Sequence, residues 1–312
     1  MGEQGVLAGV EIGLGTWSWG DRRVWEFGSG YDRDSIHEAF QVSVQSGVRL
    51  IDTAEIYGQG QSESFVGQFI AEDGPVVKVA TKYMPYPWRT GRRSVLTALE
   101  ASLGRLGIKT VDLYQIHIPL PPVRVRTWME ALAEAHERGL VRAIGVSNFS
   151  AAQCAEAGDE LAKHGLVLAS NQVEYHLLDR SAERNGVKGF CERNGVALIA
   201  YSPMAMGLLT GKYTPANPPG GSRRRRFSPA YLEAIQPLIG SLREIGRAHG
   251  EKSPAQVALN WLICKGAIPI PGAKNAGQAR ENAGAIGWRL SEGEVEALDE
   301  ASMRVSTAQS VR

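Results

Sequence analysis

The feature that most constrains the fold is a regular alternation of short apolar runs with longer segments of helical periodicity. Apolar runs typical of buried strands occur at eight places, residues 10–15, 48–51, 76–80, 111–116, 142–146, 167–170, 196–200 and 267–271. Helices are predicted near residues 32–46, 62–71, 92–106, 125–138, 151–163, 181–193, 253–264, 276–283 and 291–301. Strands that alternate with helices in this way indicate parallel βα units.

The length and the first strand favour a closed barrel over an open doubly wound sheet. A barrel of eight βα units needs roughly 250 residues, and the 312 residues of this chain leave room for insertions. A doubly wound nucleotide-binding sheet usually carries GxGxxG after its first strand, but the run from Gly13 to Ser18 lacks the third glycine. We therefore predict an α/β fold, a (β/α)8 TIM barrel with extra helices, in a single domain over residues 1–312.

One connection, after the seventh strand, is unusually long. Residues 202–252 precede a helix that opens with the capping box Ser253-Pro254-Ala255-Gln256. Prolines and glycines at 215–221 mark an irregular stretch, and a further helix is predicted over 228–249. Long loops of this kind are generally functional. The loop also contains the run Arg223 to Arg226, for which a solvated charge cluster and an anion clamp are the two interpretations.

Composition excludes several classes of partner. Lysine and arginine total 34 against 33 acidic residues, which gives no reason to expect nucleic acid or an anionic membrane. The three cysteines are far apart and lack zinc-type spacing, so neither a metal site nor a disulfide is expected. No leader pattern or apolar span is recognisable, and we expect a cytoplasmic protein.

Polar side chains follow seven of the predicted strands. The catalytic face of a barrel carries the strand C-termini, so these side chains are expected to converge on one mouth. The residues are Asp52, Lys82, His117, Asn148, Gln172, Tyr201 and Lys274. Taken singly, each has a plainer interpretation, since Asp52 could cap a turn and a lone histidine is more often structural. Their convergence on one face favours a catalytic site.

Four of the residues near this mouth suit the reduction of a carbonyl group. The hydride must come from a cofactor, and the proton must come from an acid at the oxygen. Tyr57 is the candidate acid, and a nearby Lys82 would lower the pKa of its hydroxyl. Asp52 would hold the lysine charged. A neutral His117 would donate a hydrogen bond to the substrate oxygen.

The motifs around these residues resemble the aldo-keto reductase superfamily over nearly the whole chain. Asp52 and Tyr57 lie in DTAEIYG, Lys82 in ATKY and His117 in DLYQIH, in the family order and without substitution. The resemblance implies an NADPH-dependent oxidoreductase that reduces a small-molecule carbonyl substrate with this tetrad. GTWSWG and YSPMAMG further resemble a plant and bacterial branch that includes pyridoxal reductase-like members.

The resemblance also implies how NADPH is bound. Ser147, Asn148 and Gln172 would hold the nicotinamide carboxamide, and Tyr201 would stack on its ring; Asn148 could alternatively cap the helix that follows. The segment from Gly207 to Lys212 would pass over the pyrophosphate. The complete implied set is Gly15, Thr16, Trp17, Asp52, Ser147, Asn148, Gln172, Tyr201, Ser202, Pro203, Gly207, Leu208, Lys212, Gly272, Lys274, Gln278, Glu281 and Asn282.

The end of this set concerns the adenosine and its 2′-phosphate. Glu281 and Asn282 would contact the adenosine, and Lys274 is the charge partner for the phosphate. Gln278 stands where many family members have arginine, and Arg280 is nearby. The resemblance therefore implies NADPH rather than NADH, with Lys274 as the main determinant.

Aromatic residues near the mouth are candidates for the substrate pocket. The predicted lining is Trp17, Trp19, Tyr57, Tyr86, Trp88 and His117. These rings could wall an apolar pocket or be rim packing.

Two alternatives to a reductase remain at this stage. One is a nicotinamide-binding module that senses redox state and acts through a protein partner. The other is a Schiff-base enzyme with Lys82 as the nucleophile, which would need a lowered lysine pKa that an adjacent Asp52 works against.

Overall fold

A computed structural model describes residues 3–74, 76–220 and 227–310 and contains one parallel sheet of eight strands in sequential order. The strands are β1 Gly13–Gly15, β2 Leu50–Asp52, β3 Lys78–Tyr83, β4 Val111–Ile116, β5 Val141–Ser147, β6 Leu168–Glu174, β7 Ala197–Tyr201 and β8 Ala267–Pro269. The predicted (β/α)8 architecture is confirmed.

The described residues form twelve α-helices. They are α1 Arg33–Gln45, α2 Gln61–Asp73, α3 Arg92–Leu106, α4 Val125–Glu137, α5 Ala151–Ala162, α6 Ser181–Arg184, α7 Val187–Asn194, α8 Pro229–Ala234, α9 Gln236–Ala248, α10 Pro254–Cys264, α11 Ala276–Ala283 and α12 Glu292–Ser310. Three 3-10 turns cover Glu3–Leu7, Tyr57–Gly60 and Ala205–Thr210.

Capping explains where several helices begin. The Ser253 side chain accepts from Gln256 N and completes the capping box predicted for α10. Equivalent boxes open α1 at Asp32 and α5 at Ser150. These side chains satisfy backbone N–H groups that the first helical turn leaves without partners.

Two predicted helices are each divided in the structure. The helix predicted over 181–193 is α6 and α7, which are separated where Gly186 has φ 81°. The helix predicted over 228–249 is α8 and α9, which are separated at Ile235 just before Pro237. A residue with left-handed φ or without an N–H group interrupts the helical hydrogen bonds.

The strands also differ from their predicted bounds. β3 extends to Tyr83 and β6 to Glu174, so Lys82 and Gln172 lie within their strands and do not follow them. β1 begins only at Gly13. The long connection after β7 is described over 202–220, and the Arg223 to Arg226 run lies outside the described residues.

The sheet is brought together at β1 and the end of β8 by a close approach of two backbones. Gly15 N donates to Pro271 O at 3.0 Å, and Gly15 pairs with Gly272 in an isolated parallel bridge. A Cβ at Gly15 would lie 2.7 Å from Ile270 O. Only glycine therefore permits this contact between the first and last strands.

The barrel interior is layered by the two-residue period of its strands. The lower layer is an apolar cluster that contains Leu7 from the first 3-10 turn and the strand residues Leu50, Ala80, Leu113, Ala143, Ala169, Ile199 and Ile268. Two residues further along their strands come Asp52, Lys82, Gln115 and Tyr201. A Cβ at Gly145 would lie 2.9 Å from Gln115 Cγ, so the glycine leaves room for that side chain.

Leu113→Ala is expected to lower the free energy of unfolding by about 2–5 kcal/mol, because it opens a cavity in the fully buried lower layer. Val76→Ala, at a side chain that is 91% exposed, is the control and should change stability by less than about 0.5 kcal/mol. Urea-induced unfolding of both variants measures the difference. Equal small effects would contradict a packed interior layer at Leu113.

Candidate active site

A buried ion pair lies at the centre of the polar layer. Lys82 Nζ donates to Asp52 Oδ1 at 2.5 Å and to Thr53 O at 2.8 Å. Asp52 Oδ2 accepts from Gln172 Nε2 at 2.8 Å, and Gln115 Nε2 lies 3.5 Å away. Asp52 and Lys82 are 1% and 0% exposed. Buried charges need such partners, because an unpaired one would carry the full cost of desolvation.

The carboxylate keeps Lys82 charged. Burial alone would lower the pKa of Lys82, but the negative charge of Asp52 and its hydrogen bond raise the pKa above its ordinary value. The lysine is therefore an ammonium at neutral pH. This is the opposite of what a nucleophilic Schiff-base lysine requires.

Tyr57 lies above this pair at the start of the 3-10 turn Tyr57–Gly60. Lys82 Nζ is 5.1 Å from the centroid of its ring. Burial raises the pKa of Tyr57 above its ordinary value, and the Lys82 ammonium opposes this rise without reversing it. Lys82 therefore lowers the pKa of the tyrosine, as predicted, but desolvation outweighs this effect. Tyr57 carries its proton at neutral pH.

The chain around Tyr57 folds tightly because glycines permit left-handed backbone. Gly58 has φ 55° and Gly60 has φ 90°. A Cβ at Gly58 would lie 3.0 Å from the carbonyl of Gly20. The segment after Tyr57 thus packs against the β1–α1 connection, which fixes where the tyrosine enters the mouth.

His117 completes the cluster from the end of β4. Its ring centroid is 5.8 Å from that of Tyr57, with the planes at 82°. Burial, with a smaller contribution from the Lys82 charge, lowers the pKa of His117 to about 3. Nδ1 is buried and has no hydrogen-bond partner among the residues that the structure describes. The imidazole is therefore neutral, as the sequence predicts.

A second network joins the predicted nicotinamide residues. Tyr201 Oη donates to Asn148 Oδ1 at 3.0 Å, and Asn148 Nδ2 donates to His117 O at 3.1 Å and to Ser147 Oγ at 3.0 Å. Asn148 has φ 61°, and Ser150 is the residue that caps α5. The alternative capping role of Asn148 is therefore wrong. Burial raises the pKa of Tyr201 to about 12.

The segment after β7 contains several residues in left-handed conformation. Ser202, Ala205 and Met206 have φ of 51°, 50° and 55°. Such strain in non-glycine residues clusters at ligand-binding loops. Gly207 has φ 94° in the same segment.

Three of the predicted cofactor residues have side chains that pack in the interior. Thr16 is fully buried, and its Oγ1 donates to Asp52 O at 3.0 Å and contacts Ser62 Oγ at 2.7 Å. Pro203 and Leu208 are likewise buried. Their contacts with a cofactor stay predictions, as do those of Ser147 and Gln172, which are each 1% exposed. Lys212, in contrast, is exposed.

The predicted adenosine segment surrounds the start of α11. Asn275 caps the helix by accepting from Gln278 N at 2.9 Å, and Gln278 Oε1 accepts from Lys274 N at 3.0 Å. Asn282 Nδ2 donates to Gly272 O at 3.1 Å, and Glu281 is partly buried beside it. These contacts hold the β8–α11 connection in one conformation.

The predicted pocket aromatics separate into different environments. Trp17 is 38% exposed, and its ring centroid lies 6.4 Å from that of Tyr57. Trp19 is fully buried against Phe69, and its Nε1 donates to Ala273 O at 2.9 Å. Trp19 is therefore a core residue, and its assignment to the pocket is wrong.

Tyr86 and Trp88 stack in parallel with their centroids 4.8 Å apart. Trp88 lines a cavity of about 510 Å³ together with Arg89, Arg93 and Glu55, and no residue of the tetrad lines this cavity. The structure gives no contact between the two rings and Tyr57, so their place in the substrate pocket stays a prediction.

Sequence reasoning missed three residues around the ion pair: Gln115 beside the Asp52 carboxylate, Thr53 whose carbonyl accepts from Lys82, and Ser62 behind Thr53. Ser62 Oγ contacts both Thr16 and Thr53, and donates to Thr16 O at 3.0 Å. Gln115 was detectable, because it is a polar residue two positions before His117 in an apolar strand and so shares its inward face. Nothing local identifies Ser62, which comes into contact only when α2 packs on the barrel.

Within the described part of the chain, no group of three or more His, Cys, Asp or Glu residues could hold a metal ion. Nor is any helix in the described ranges long and apolar enough to cross a membrane.

Comparisons with known proteins agree with this geometry. The model of the Aldo/keto reductase family matches residues 11–303. The chain is 38% identical over 305 residues to the chloroplastic pyridoxal reductase of Arabidopsis thaliana, covering 94% of this chain and 83% of that protein.

Two solved structures are similar over most of their length. A glycerol dehydrogenase from Gluconobacter oxydans has a TM-score of 0.81 at 27% identity, over 94% of this chain and 91% of that one. An aldo/keto reductase from Klebsiella pneumoniae, in complex with NADP and acetate, has a TM-score of 0.73 at 28% identity, over 93% and 90%.

The buried neutral His117 should make stability depend on pH. Its folded pKa of about 3 lies below its ordinary value of 6.5, so the unfolded chain binds the proton first as the pH falls. Stability is therefore lost below pH ~6.5, by up to about 1.4 kcal/mol per pH unit for this group. His117→Gln should lack this loss, and urea unfolding at pH 7.5 and 5.0 measures it.

His117→Asn serves as the matched second variant, because it changes the packing differently but also removes the titrating ring. Both variants should show the same reduced pH dependence. If wild type and both variants lose stability in parallel between these pH values, His117 is not held neutral by burial.

Proposed function

Because the chain belongs to the aldo/keto reductase family, we propose that it reduces an aldehyde or ketone to an alcohol at Asp52, Tyr57, Lys82 and His117. The enzyme is an NADPH-dependent oxidoreductase. The observation that carries the proposed roles is the meeting of a protonated tyrosine and a neutral histidine above a lysine that a buried carboxylate keeps charged.

NADPH supplies the hydride when bound, and the residues present suit such a cofactor. Gln172 Nε2 already donates to the Asp52 carboxylate at 2.8 Å, which orients the amide. With Nε2 turned to Asp52, Gln172 Oε1 points away from the carboxylate and can accept from the NH2 of a nicotinamide carboxamide. Ser147 and Asn148 would complete the contacts to this amide. The segment from Gly207 to Lys212, which follows the left-handed residues Ala205 and Met206, would pass over the pyrophosphate.

Tyr57 is proposed to donate its proton to the carbonyl oxygen. The O–H bond of the tyrosine breaks as a new O–H bond forms on the substrate, which becomes an alcohol. The negative charge left on Tyr57 is stabilised by the Lys82 ammonium, whose own charge Asp52 maintains. Burial keeps the proton on Tyr57 until a substrate oxygen arrives.

His117 is proposed to orient the substrate. A neutral imidazole can donate one hydrogen bond without competing for the tyrosine proton, and the lowered pKa keeps it neutral across the physiological range. A donor aimed at the carbonyl oxygen stabilises the charge that develops there.

The substrate is proposed to be an aldehyde with an aromatic or apolar body. Trp17 is the support for this, since its partly exposed ring lies beside Tyr57. Pyridoxal is the first candidate, because a relative at 38% identity is named a pyridoxal reductase.

We further propose that residues 1–312 act as one domain and that the protein is cytoplasmic, although that relative is named as chloroplastic.

Tyr57→Phe should reduce kcat by roughly 10²–10⁴-fold, because it removes the proton donor and leaves the ring in place. NADPH affinity should change little. Tyr114→Phe, which also removes a buried hydroxyl but lies outside the tetrad and the predicted pocket, is the control and should retain activity. Steady-state NADPH oxidation and calorimetric titration measure the two effects. Near-full activity in Tyr57→Phe would refute its role as the acid.

The direct test of the function is NADPH oxidation with a panel of aldehydes and ketones that includes pyridoxal, run for wild type and Tyr57→Phe. Turnover that is lost in the variant is the expected result. Tight NADPH binding without turnover of any carbonyl would refute the proposed reaction and favour the redox-sensing module.

A further inference from the structure

We propose that Trp25 and Tyr31, in the β1–α1 connection, form an aromatic cage that positions Lys274 for the 2′-phosphate of NADPH. The cage would thereby set the preference for NADPH over NADH. The proposal rests on the cofactor assignment of Lys274 within the proposed function, but not on any carbonyl reduction.

The cage is defined by three contacts with one ammonium group. Lys274 Nζ lies 4.9 Å from the centroid of the Trp25 ring and 4.4 Å from that of the Tyr31 ring. It also donates to Trp25 O at 3.0 Å. A cation over a ring face within about 6 Å is attracted by the negative face of the π-system. Residues almost a whole chain apart are thus brought together at the β8–α11 connection.

The walls of the cage are themselves held in place. Tyr31 Oη donates to Ser18 O at 2.6 Å, and its ring meets Phe27 edge-on at 5.4 Å. Trp25 N donates to Asp21 Oδ1 at 3.1 Å. Two rings that are anchored in this way hold the ammonium in one position. The Lys274 side chain can therefore adopt fewer rotamers.

A lysine held in this way suits recognition of a phosphate for three reasons. The lysine side chain is long and flexible, and it loses conformational entropy when a ligand orders it, which weakens binding. A side chain that is already held in position does not lose this entropy on binding. The ring faces and the carbonyl have no net charge, so these three contacts do not neutralise the ammonium. Lys274 is also followed directly by Asn275, the cap of α11. The caged charge therefore lies at the start of a helix, where anions are favoured.

The cage shares Trp25 with the rim of the active site. The Trp25 ring meets Trp17 edge-on at 5.5 Å, and Trp17 lies beside Tyr57. A change at Trp25 can therefore disturb the substrate side as well as Lys274. Tyr31 makes no such ring contact with Trp17, and so a variant at Tyr31 tests the cage separately.

The experiment measures the dissociation constants of NADP+ and NAD+ by isothermal titration calorimetry on the full chain. The variants are Trp25→Ala and Tyr31→Leu, each in wild type and in Lys274→Ala. Removing one ring should raise the dissociation constant of NADP+ by roughly three- to thirtyfold. The dissociation constant of NAD+ should change less than about twofold. In the Lys274→Ala background neither ring removal should have a further effect on NADP+.

Trp25→Phe and Tyr31→Phe are the matched controls, because each keeps a ring face over the ammonium. Both should retain most of the NADP+ affinity. Thermal unfolding of each variant checks that it is folded. If Tyr31→Leu does not fold, Trp25→Ala and its phenylalanine control decide the matter alone.

Three outcomes would overturn the proposal. Equal weakening of NADP+ and NAD+ would mean that the rings only support the fold. Unchanged or tighter NADP+ binding would mean that they do not present Lys274. A full effect of ring removal in the Lys274→Ala background would mean that they act elsewhere. None of these measurements needs a carbonyl substrate, so the proposed reaction can fail while the cage stands.

Discussion

The ion pair between Asp52 and Lys82 is the interaction on which the rest of the site depends. Burying two charges costs several kcal/mol each, and the attraction between them offsets this only when further hydrogen bonds satisfy the remaining atoms. Thr53 O and the Gln172 amide provide these bonds. The barrel gathers residues from β2, β3 and β6 around one carboxylate, and the Lys82 ammonium below Tyr57 and the amide of Gln172 are both held by it.

The polar layer is possible because the layer beneath it is entirely apolar. The two-residue period that turns Leu50, Ala80 and Leu113 inward also turns Asp52, Lys82 and Gln115 inward one step higher. The same strands therefore supply stability in one layer and chemistry in the next. Gly145 is needed where the two layers meet, because a Cβ at this position would lie too close to the side chain of Gln115.

The four tetrad residues lie far apart in the sequence, and their proximity was predicted because the strands of a barrel end at one mouth. Local sequence was sufficient for the alternation of strands and helices and for the Ser253 capping box, because these signals lie within a few neighbouring residues. It was insufficient wherever the outcome depended on distant packing. The net pKa of Tyr57 depends on its burial, and the hydroxyl of Thr16 is used by Asp52 and Ser62. Trp17 and Trp19 differ by two positions in an irregular segment, where no periodicity tells the exposed ring from the buried one.

The first 3-10 turn affects the order in which ligands bind to and leave the site. Leu7 joins the apolar layer at the end of the barrel opposite the strand C-termini, so that end offers no passage. Among the residues that the structure describes, the approach to Asp52, Tyr57 and His117 therefore lies at the opposite mouth. Two ligands that enter through one mouth bind in a fixed order, because the ligand that lies deeper must bind first and dissociate last.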